Sequence, residues 1–334
     1  MSEKIDFVVL WVDGSDPKWL KEKNKYSDSK IDIDDTIARY RDMKTFKYWF
    51  RAVEKYTPWV NKIHFITWGH VPDWLDTTNP KLNIVNHKDY IPKEYLPTFN
   101  SNVIELNLFR LEELSEKFVL FNDDMVILNK LNPDYFFKND LPCDVWRENC
   151  FKTEQSGDNF FDHIMINNLY LINKNFNKKE VVKEHFNKIF NLKYKKRNVR
   201  NLMLQRWNYF CGFSSMHTAN SFLKSSFKKI WDMEYELLHR TSLSKFRSVF
   251  DVNQWAIADM QLVTGKFNIK GLNDFGRFYT LKNDNTELYN YINSKESTIV
   301  CINDTNTDMD FEKISNELVE IFEKKFPNKS SFEK

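Results

Sequence analysis

The sequence predicts an α/β protein with a mostly parallel sheet and helices on its faces. Three observations carry this. Short apolar runs rich in β-branched residues end in Asp, Asn or Gly, the form of strands buried on both sides. These runs alternate with stretches whose apolar residues recur at helical spacing, so successive strands are joined by crossovers. The 334 residues are 42% hydrophobic and 29% charged, enough for a full core and unlike a disordered chain.

The elements follow in order. Residues 6–12 form the first strand, closed by the turn Asp13-Gly14-Ser15-Asp16-Pro17. Residues 18–35 are polar and read as a loop. Phe46, Trp49, Phe50, Val53 and Tyr56 mark a helix over 42–56, stopped before Pro58. The second strand covers 62–68 and Gly69 closes it. Pro72 to Leu75 is a short helix or turn. The third strand, 82–85, runs into His87-Lys88-Asp89. A helix over 103–114 precedes the fourth strand, 118–121, which ends in Asn122-Asp123-Asp124.

The second half is more helical, with helices over 179–191, 221–231, 251–264 and 310–326. The last carries Phe311, Ile314, Leu318, Phe322 and Phe326 on one stripe. That stripe packs on the protein's own core, with docking on a membrane or partner as the other reading. Residues 327–334 are polar and read as frayed. No repeat or linker divides the chain. The expectation is one catalytic domain over 1–330: an α/β half to residue 130, then a helical half with an insertion at about 160–200.

Composition narrows the function. Lys plus Arg is 49 against 47 Asp plus Glu, a net +2, which lacks the basic excess of a nucleic-acid binder. No apolar run approaches ~18 residues, so no membrane span is expected. The N-terminus enters a strand at once, without a signal-peptide layout. Four cysteines show no CxxC and no His at ligand spacing, which fits a reduced cytoplasmic compartment. Seven glycines and no GxGxxG or GxxxxGK[ST] exclude a P-loop or dinucleotide fingerprint. The 16% aromatic content, including Trp11, Trp49, Trp59, Trp68, Trp74 and Trp207, is assigned mostly to the core.

Ligands of open parallel sheets bind at the carboxyl ends of the strands. There the chain places Asp13 and Asp16, His87 and Asp89, and Asn122-Asp123-Asp124. Each alone is an ordinary turn residue. Two adjacent carboxylates after a buried strand repel each other unless a cation compensates, which invites Mg²⁺. Arg39, Arg41, Arg51 and Arg247 are ordinary surface charges singly, but a diphosphate ligand would account for several together. His217 follows a turn-like Gly212-Phe213-Ser214-Ser215 stretch and suits a general base, with a structural His as the plain alternative. His64 reads as core, and His70 as an unassigned loop residue.

Four blocks, in order, resemble the Stealth family of sugar-phosphate transferases. They are IDFVVLWVDGSDP from Ile5, the long stretch from Arg39 through LPTFNSNVIE to FNDDM at Met125, FCGFSSMHTANSFLKSSFKKIW over 210–231, and FRSVFDVNQ from Phe246. The resemblance implies a Rossmann-like sheet similar to GT-A glycosyltransferases. It implies transfer of a sugar 1-phosphate from a UDP-sugar to a hydroxyl of a glycan acceptor, with release of UMP and help from Mg²⁺ (or Mn²⁺). By motif position, Asp13 would lie near the nucleotide. Arg39, Arg41 and Asp42 would build the donor pocket, and Ser101, Asn102 and Asn122 would join it. Asp123 and Asp124 match the acidic pair, His217 the third-block His and Arg247 the fourth-block Arg. Thr45-Phe46 and Ala219 depart from the family pattern.

The expected catalytic set is His217 as base, Arg247 on the phosphate, and Asp124 either orienting His217 or binding metal. Expected partners are the UDP-sugar and a glycan acceptor, lipid-linked at the inner membrane face, in capsule or cell-surface polysaccharide synthesis; no nucleic acid is expected. The rivals are a glycosyltransferase releasing UDP, against which the absence of a plain Asp-X-Asp stands, and a non-catalytic saccharide-binding protein.

Overall fold

The computed structural model describes residues 4–27, 41–152, 160–215, 217–271, 275–304 and 309–334. Eleven strands occur among them: β1 (Ile5–Leu10), β2 (Ile63–Thr67), β3 (Leu82–Asn86), β4 (Lys117–Asn122), β5 (Met125–Ile127), β6 (Phe137–Lys138), β7 (Leu141–Asp144), β8 (Asn220–Leu223), β9 (Asn268–Ile269), β10 (Arg277–Thr280) and β11 (Ile299–Asn303).

The main sheet has the order β3-β2-β1-β4-β8. The first four strands are parallel and β8 joins β4 antiparallel. This is the expected α/β, mostly parallel architecture. Alternation in β1 sends Phe7 and Val9 into one core layer and Val8 into the other. The layer under Phe7 also takes β5 and β11, so the second half of the chain closes over the sheet. All four parallel strands therefore point their carboxyl ends the same way, and β11 adds its own end beside that of β4.

Several boundaries differ from the sequence reading. Of the stretch 18–35, read as a loop, residues 28–35 lie outside the described residues, and the first part belongs to the helix Pro17–Asn24. Asp16 caps it by accepting from the Lys18 and Trp19 amides, and Pro17 sits at the first turn, where its missing N–H costs nothing. The helix expected over 103–114 is Ser101–Leu106, broken where the Asn107 side-chain amide turns back to the Val103 carbonyl. The helix over 179–191 is two pieces, Lys178–Glu184 and Phe186–Ile189, parted at His185. Residues 221–223, expected as helix, belong to the edge strand β8, and the helix begins at Lys224. Trp207, grouped with the core, is exposed.

The tail is not frayed. Phe332 is buried against Phe50, with ring centroids 5.4 Å apart, and the Arg51 Nε donates to Glu333 Oε1 at 2.8 Å. Arg51 also donates to Glu323 and to the Phe326 carbonyl. Its guanidinium is thus committed to the fold and does not reach the strand ends. The 310–326 stripe belongs to helix Phe311–Lys325, and Ile314, Leu318 and Phe322 are buried in the core layer. Among the described residues no helix is long and apolar enough to cross a membrane.

Candidate functional site

One cavity of about 930 Å³ opens at the carboxyl ends of β1, β4 and β11. Its walls include Asp13, Arg41, Asp42, Ser101, Asn122 and Asp123, together with Asp124, His217 and Arg247. Residues up to 234 positions apart therefore meet, because the parallel strands deliver their ends to one edge. Asn102 does not join them. It is buried, and its amide donates to Asp251 Oδ2. Arg39 lies outside the described residues.

The β1 turn is rigid. Asp13 Oδ1 accepts from the Ser15 amide at 2.8 Å and from the Ser15 hydroxyl at 2.6 Å. The Asp13 amide donates to His70 Nε2 at 2.9 Å, which leaves the His70 proton on Nδ1, 3.7 Å from Asp16 Oδ2. Burial holds His70 below the ordinary histidine range, so it stays neutral and acts as a brace.

Asp123 and Asp124 form the turn between β4 and β5. Asp124 is anchored from β11: Cys301 Sγ donates to its Oδ2 at 3.3 Å and the Ile302 amide to its carbonyl at 2.8 Å. Its other carboxylate oxygen is buried without a partner. Burial pushes Asp124 up to about 6. Asp123 opens onto the cavity but is walled by protein otherwise; that desolvation, then the charge of Asp124, pushes it up to about 7.

The carboxylate pair fits a divalent cation. An orphaned oxygen and two mutually repelling carboxylates call for positive charge, and hard cations take oxygen ligands. Among the described residues no group of three or more His, Cys, Asp or Glu side chains is placed to hold a metal ion by itself. Mg²⁺ is commonly held by one or two carboxylates plus ligand phosphates.

The cationic side is narrower than expected. Arg41 forms a two-pronged bond with Asp304, Nε to Oδ2 at 3.0 Å and Nη2 to Oδ1 at 2.9 Å, and stacks 4.3 Å over Phe311. Its charge is balanced by the protein. Asp42 is exposed and accepts from the Lys44 amide. Arg247 reaches across to donate from Nη2 to Ser101 Oγ at 2.7 Å. The strap bearing it is docked by the Phe99 amide to the Lys245 carbonyl at 2.8 Å, and Phe246 stacks on Phe99 at 5.4 Å. Asn100 ties the strap again, to the Phe246 carbonyl and to Asp251.

His217 sits half-buried among Phe161, Trp255 and Phe278, with ring centroids 5.4, 5.9 and 5.3 Å away. Burial lowers its pKa, so the imidazole is neutral near pH 7 and able to take a proton. Asp124 Oδ2 meets Cys301 and its Oδ1 has no partner, so among the described residues Asp124 makes no hydrogen bond to His217. Arg147 backs the arrangement. Its guanidinium lies 5.4 Å over Trp255, and Nη1 donates to the Ser214 carbonyl at 3.0 Å.

Two further cavity residues are outside the set of site residues expected from the sequence, though His87 is one of its strand-end residues. Glu105 is buried, its Oε2 has no partner, and burial alone pushes its pKa up to about 8. The signal is present in the sequence: Glu105 is four residues after Ser101, hence on the same helix face. His87, read only as a turn residue, is buried with Nδ1 unpartnered and is pushed down to about 4 by burial. The cavity thus offers a neutral carboxyl and two neutral imidazoles beside the acidic pair and Arg247.

Comparison with known proteins agrees with the motif blocks. Residues 3–31 match the family model described as Stealth protein CR1, conserved region 1, and residues 39–144 match Stealth protein CR2, conserved region 2. The chain is 45% identical over 334 residues to the capsular polysaccharide phosphotransferase WcwK of Streptococcus pneumoniae, covering 99% of this chain and 98% of that one. It is 40% identical to the exopolysaccharide phosphotransferase cps2G of Lactiplantibacillus plantarum, over 99% and 96% of the two chains. It is 38% identical to the receptor polysaccharide phosphotransferase WefC of Streptococcus gordonii, over the full length of both. A solved structure of the galactosyltransferase LgtC with donor and acceptor sugar analogues is similar with a TM-score of 0.39 at 9% identity, over 96% of this chain and 95% of that one.

Proposed function

This chain belongs to the Stealth family, whose relatives here are polysaccharide phosphotransferases, and we propose that it transfers a sugar 1-phosphate from a UDP-sugar to a hydroxyl of a glycan acceptor in cell-surface polysaccharide synthesis. The observation that carries the reading is the convergence of the acidic pair, His217 and the Arg247–Ser101 pair on one cavity. Its volume suits a nucleoside diphosphosugar with room for part of an acceptor.

The acceptor oxygen attacks the phosphorus that carries the sugar. A new O–P bond forms, the bridging P–O bond of the diphosphate breaks, and UMP leaves with the bond electrons. His217 accepts the hydroxyl proton, and its aromatic box keeps it neutral beforehand. Arg247, aimed by Ser101, meets charge that spreads over the phosphoryl oxygens. Asp123 and Asp124 would hold a divalent cation, which when bound neutralises diphosphate charge. Asp13, fixed by Ser15, would face the nucleotide. Arg41, held by Asp304, shapes the wall of the donor pocket. The acceptor is lipid-linked, presented at the cytoplasmic face of the membrane.

The test is incubation of the protein with Mg²⁺, a panel of UDP-sugars and a glycan acceptor, with the nucleotide product identified by mass. UMP together with a phosphodiester-linked product supports attack at phosphorus. UDP as the product would place attack at carbon and overturn the reading.

A further inference from the structure

The helix Arg197–Leu204 packs the wrong way round for a core element. Its polar Asn201 is fully buried, donating to the Ile189 carbonyl at 2.8 Å, and Arg197 and Arg200 are half-buried. Leu204 is buried with Asn201, but the other apolar residues face out: Val199, Leu202 and Met203 are 62, 66 and 61% exposed, at spacings of three and four that set them on one face. Beside them Leu192 is 92% exposed at the tip of a turn held by Lys195 at φ 47°, a left-handed conformation unfavourable for a side-chain-bearing residue. Trp207 follows at 52%.

The exposed charges carried by this stretch of chain have one sign. Lys193, Lys195, Lys196 and Arg206 are exposed, and no Asp or Glu occurs from residue 185 to 231. Exposed apolar residues flanked along the chain by exposed basic ones, with an exposed Trp following, form the pattern of a helix that lies in a membrane interface. A partner protein's ordinary mixed-charge surface would leave most of these cations unmatched, whereas an anionic bilayer matches all of them and accepts the apolar tips.

We propose that the face built on Leu192, Val199, Leu202 and Met203 with the surrounding lysines docks the protein on an anionic lipid bilayer. The apolar side chains enter the headgroup boundary and the lysines meet lipid phosphates. This deepens the proposed function, on which it rests only for its consequence: a docked enzyme meets a lipid-linked acceptor in two dimensions. The binding itself needs no catalysis.

The experiment is flotation of the full chain with vesicles of phosphatidylcholine and phosphatidylglycerol, against pure phosphatidylcholine. Wild type should float with the anionic vesicles and be released by high salt. Leu202→Glu/Met203→Glu should lower partitioning on the order of 10-fold or more, and Lys193→Gln/Lys195→Gln/Lys196→Gln should lower it without touching the apolar face. Melting curves and UDP-sugar turnover with a soluble acceptor should stay at wild-type values in both variants. Equal flotation of wild type and both variants, or no flotation of wild type at low salt, overturns the proposal. So does a wild-type dimer that the Leu202/Met203 variant converts to monomer, since a second copy would then cover this face.

Discussion

Glu105 makes the protein's stability depend on pH in a direction opposite to that of most carboxylates. Ordinary Asp and Glu lose stabilising contacts when protonated. Glu105 is buried without a partner for Oε2, and burial raises it from 4.5 to about 8. Between those pH values the folded chain keeps a proton that the unfolded chain releases. Stability therefore falls as pH rises: it is full below 4.5 and lost through about 8. One pH unit corresponds to about 1.4 kcal/mol, so the span from pH 4.5 to 7 costs about 3 kcal/mol through this residue alone. The perturbation is Glu105→Gln, which keeps the shape and removes the titration. Gln carries an unmet amide of its own, so the absolute stability is not the readout. The readout is the change with pH of the wild-type minus variant difference, from urea melts at intervals between pH 4.5 and 8. The difference should move against wild type by about 3 kcal/mol up to pH 7. Parallel curves would refute the claim that Glu105 is held neutral in the cavity wall.

Four other outcomes follow from the same geometry. His217→Ala should lose on the order of 10²-fold in kcat with donor KM little changed, measured as UMP release, because a positioned base acts on the proton and not on the donor. Arg247→Ala should lower kcat/KM by on the order of 10²-fold, about 3 kcal/mol, if its contact is made to the reacting phosphoryl group; Arg247→Lys should recover only part, lacking the fork that reaches Ser101. Mg²⁺ binding should release protons at pH 6, where Asp123 and Asp124 are still partly protonated, and nearly none at pH 8; calorimetry in buffers of different ionisation enthalpy reads this directly. Arg51→Met should destabilise by roughly 3–5 kcal/mol in denaturant melts, since it strands the buried Glu333 carboxylate, while leaving turnover of the surviving folded protein unchanged.

What is legible in the sequence divides by the range of the interaction. Strand runs such as β1 and β4 announce themselves because burial on both faces demands an unbroken apolar stretch, and their terminal Asp and Asn residues mark the edge where ligands gather. Motif order then supplies His217 and Arg247, which no local pattern joins to Asp124. What the sequence hides is equally physical. Arg41 and Arg51 look alike as cations on or near one helix, yet only Arg41 lines the cavity, and their partners Asp304 and Glu333 lie more than 250 positions away, a separation at which charge pairing leaves no local trace. Residues 221–223 run in sequence straight into a helical stretch but are recruited as an edge by β4, a tertiary choice that local pattern does not show. Asn102 reads as a ligand contact only through its place beside Ser101; one helical step of 100° turns it to Asp251 instead, while the four-residue step brings Glu105 back to the cavity. Helical phase, applied to the polar residues of 101–106 as to the apolar ones, exchanges Asn102 for Glu105 from the amino-acid order alone. The same phase rule on Arg197–Leu204 puts its apolar face outward, so the geometry that corrects the cavity also singles out the surface proposed to meet the membrane.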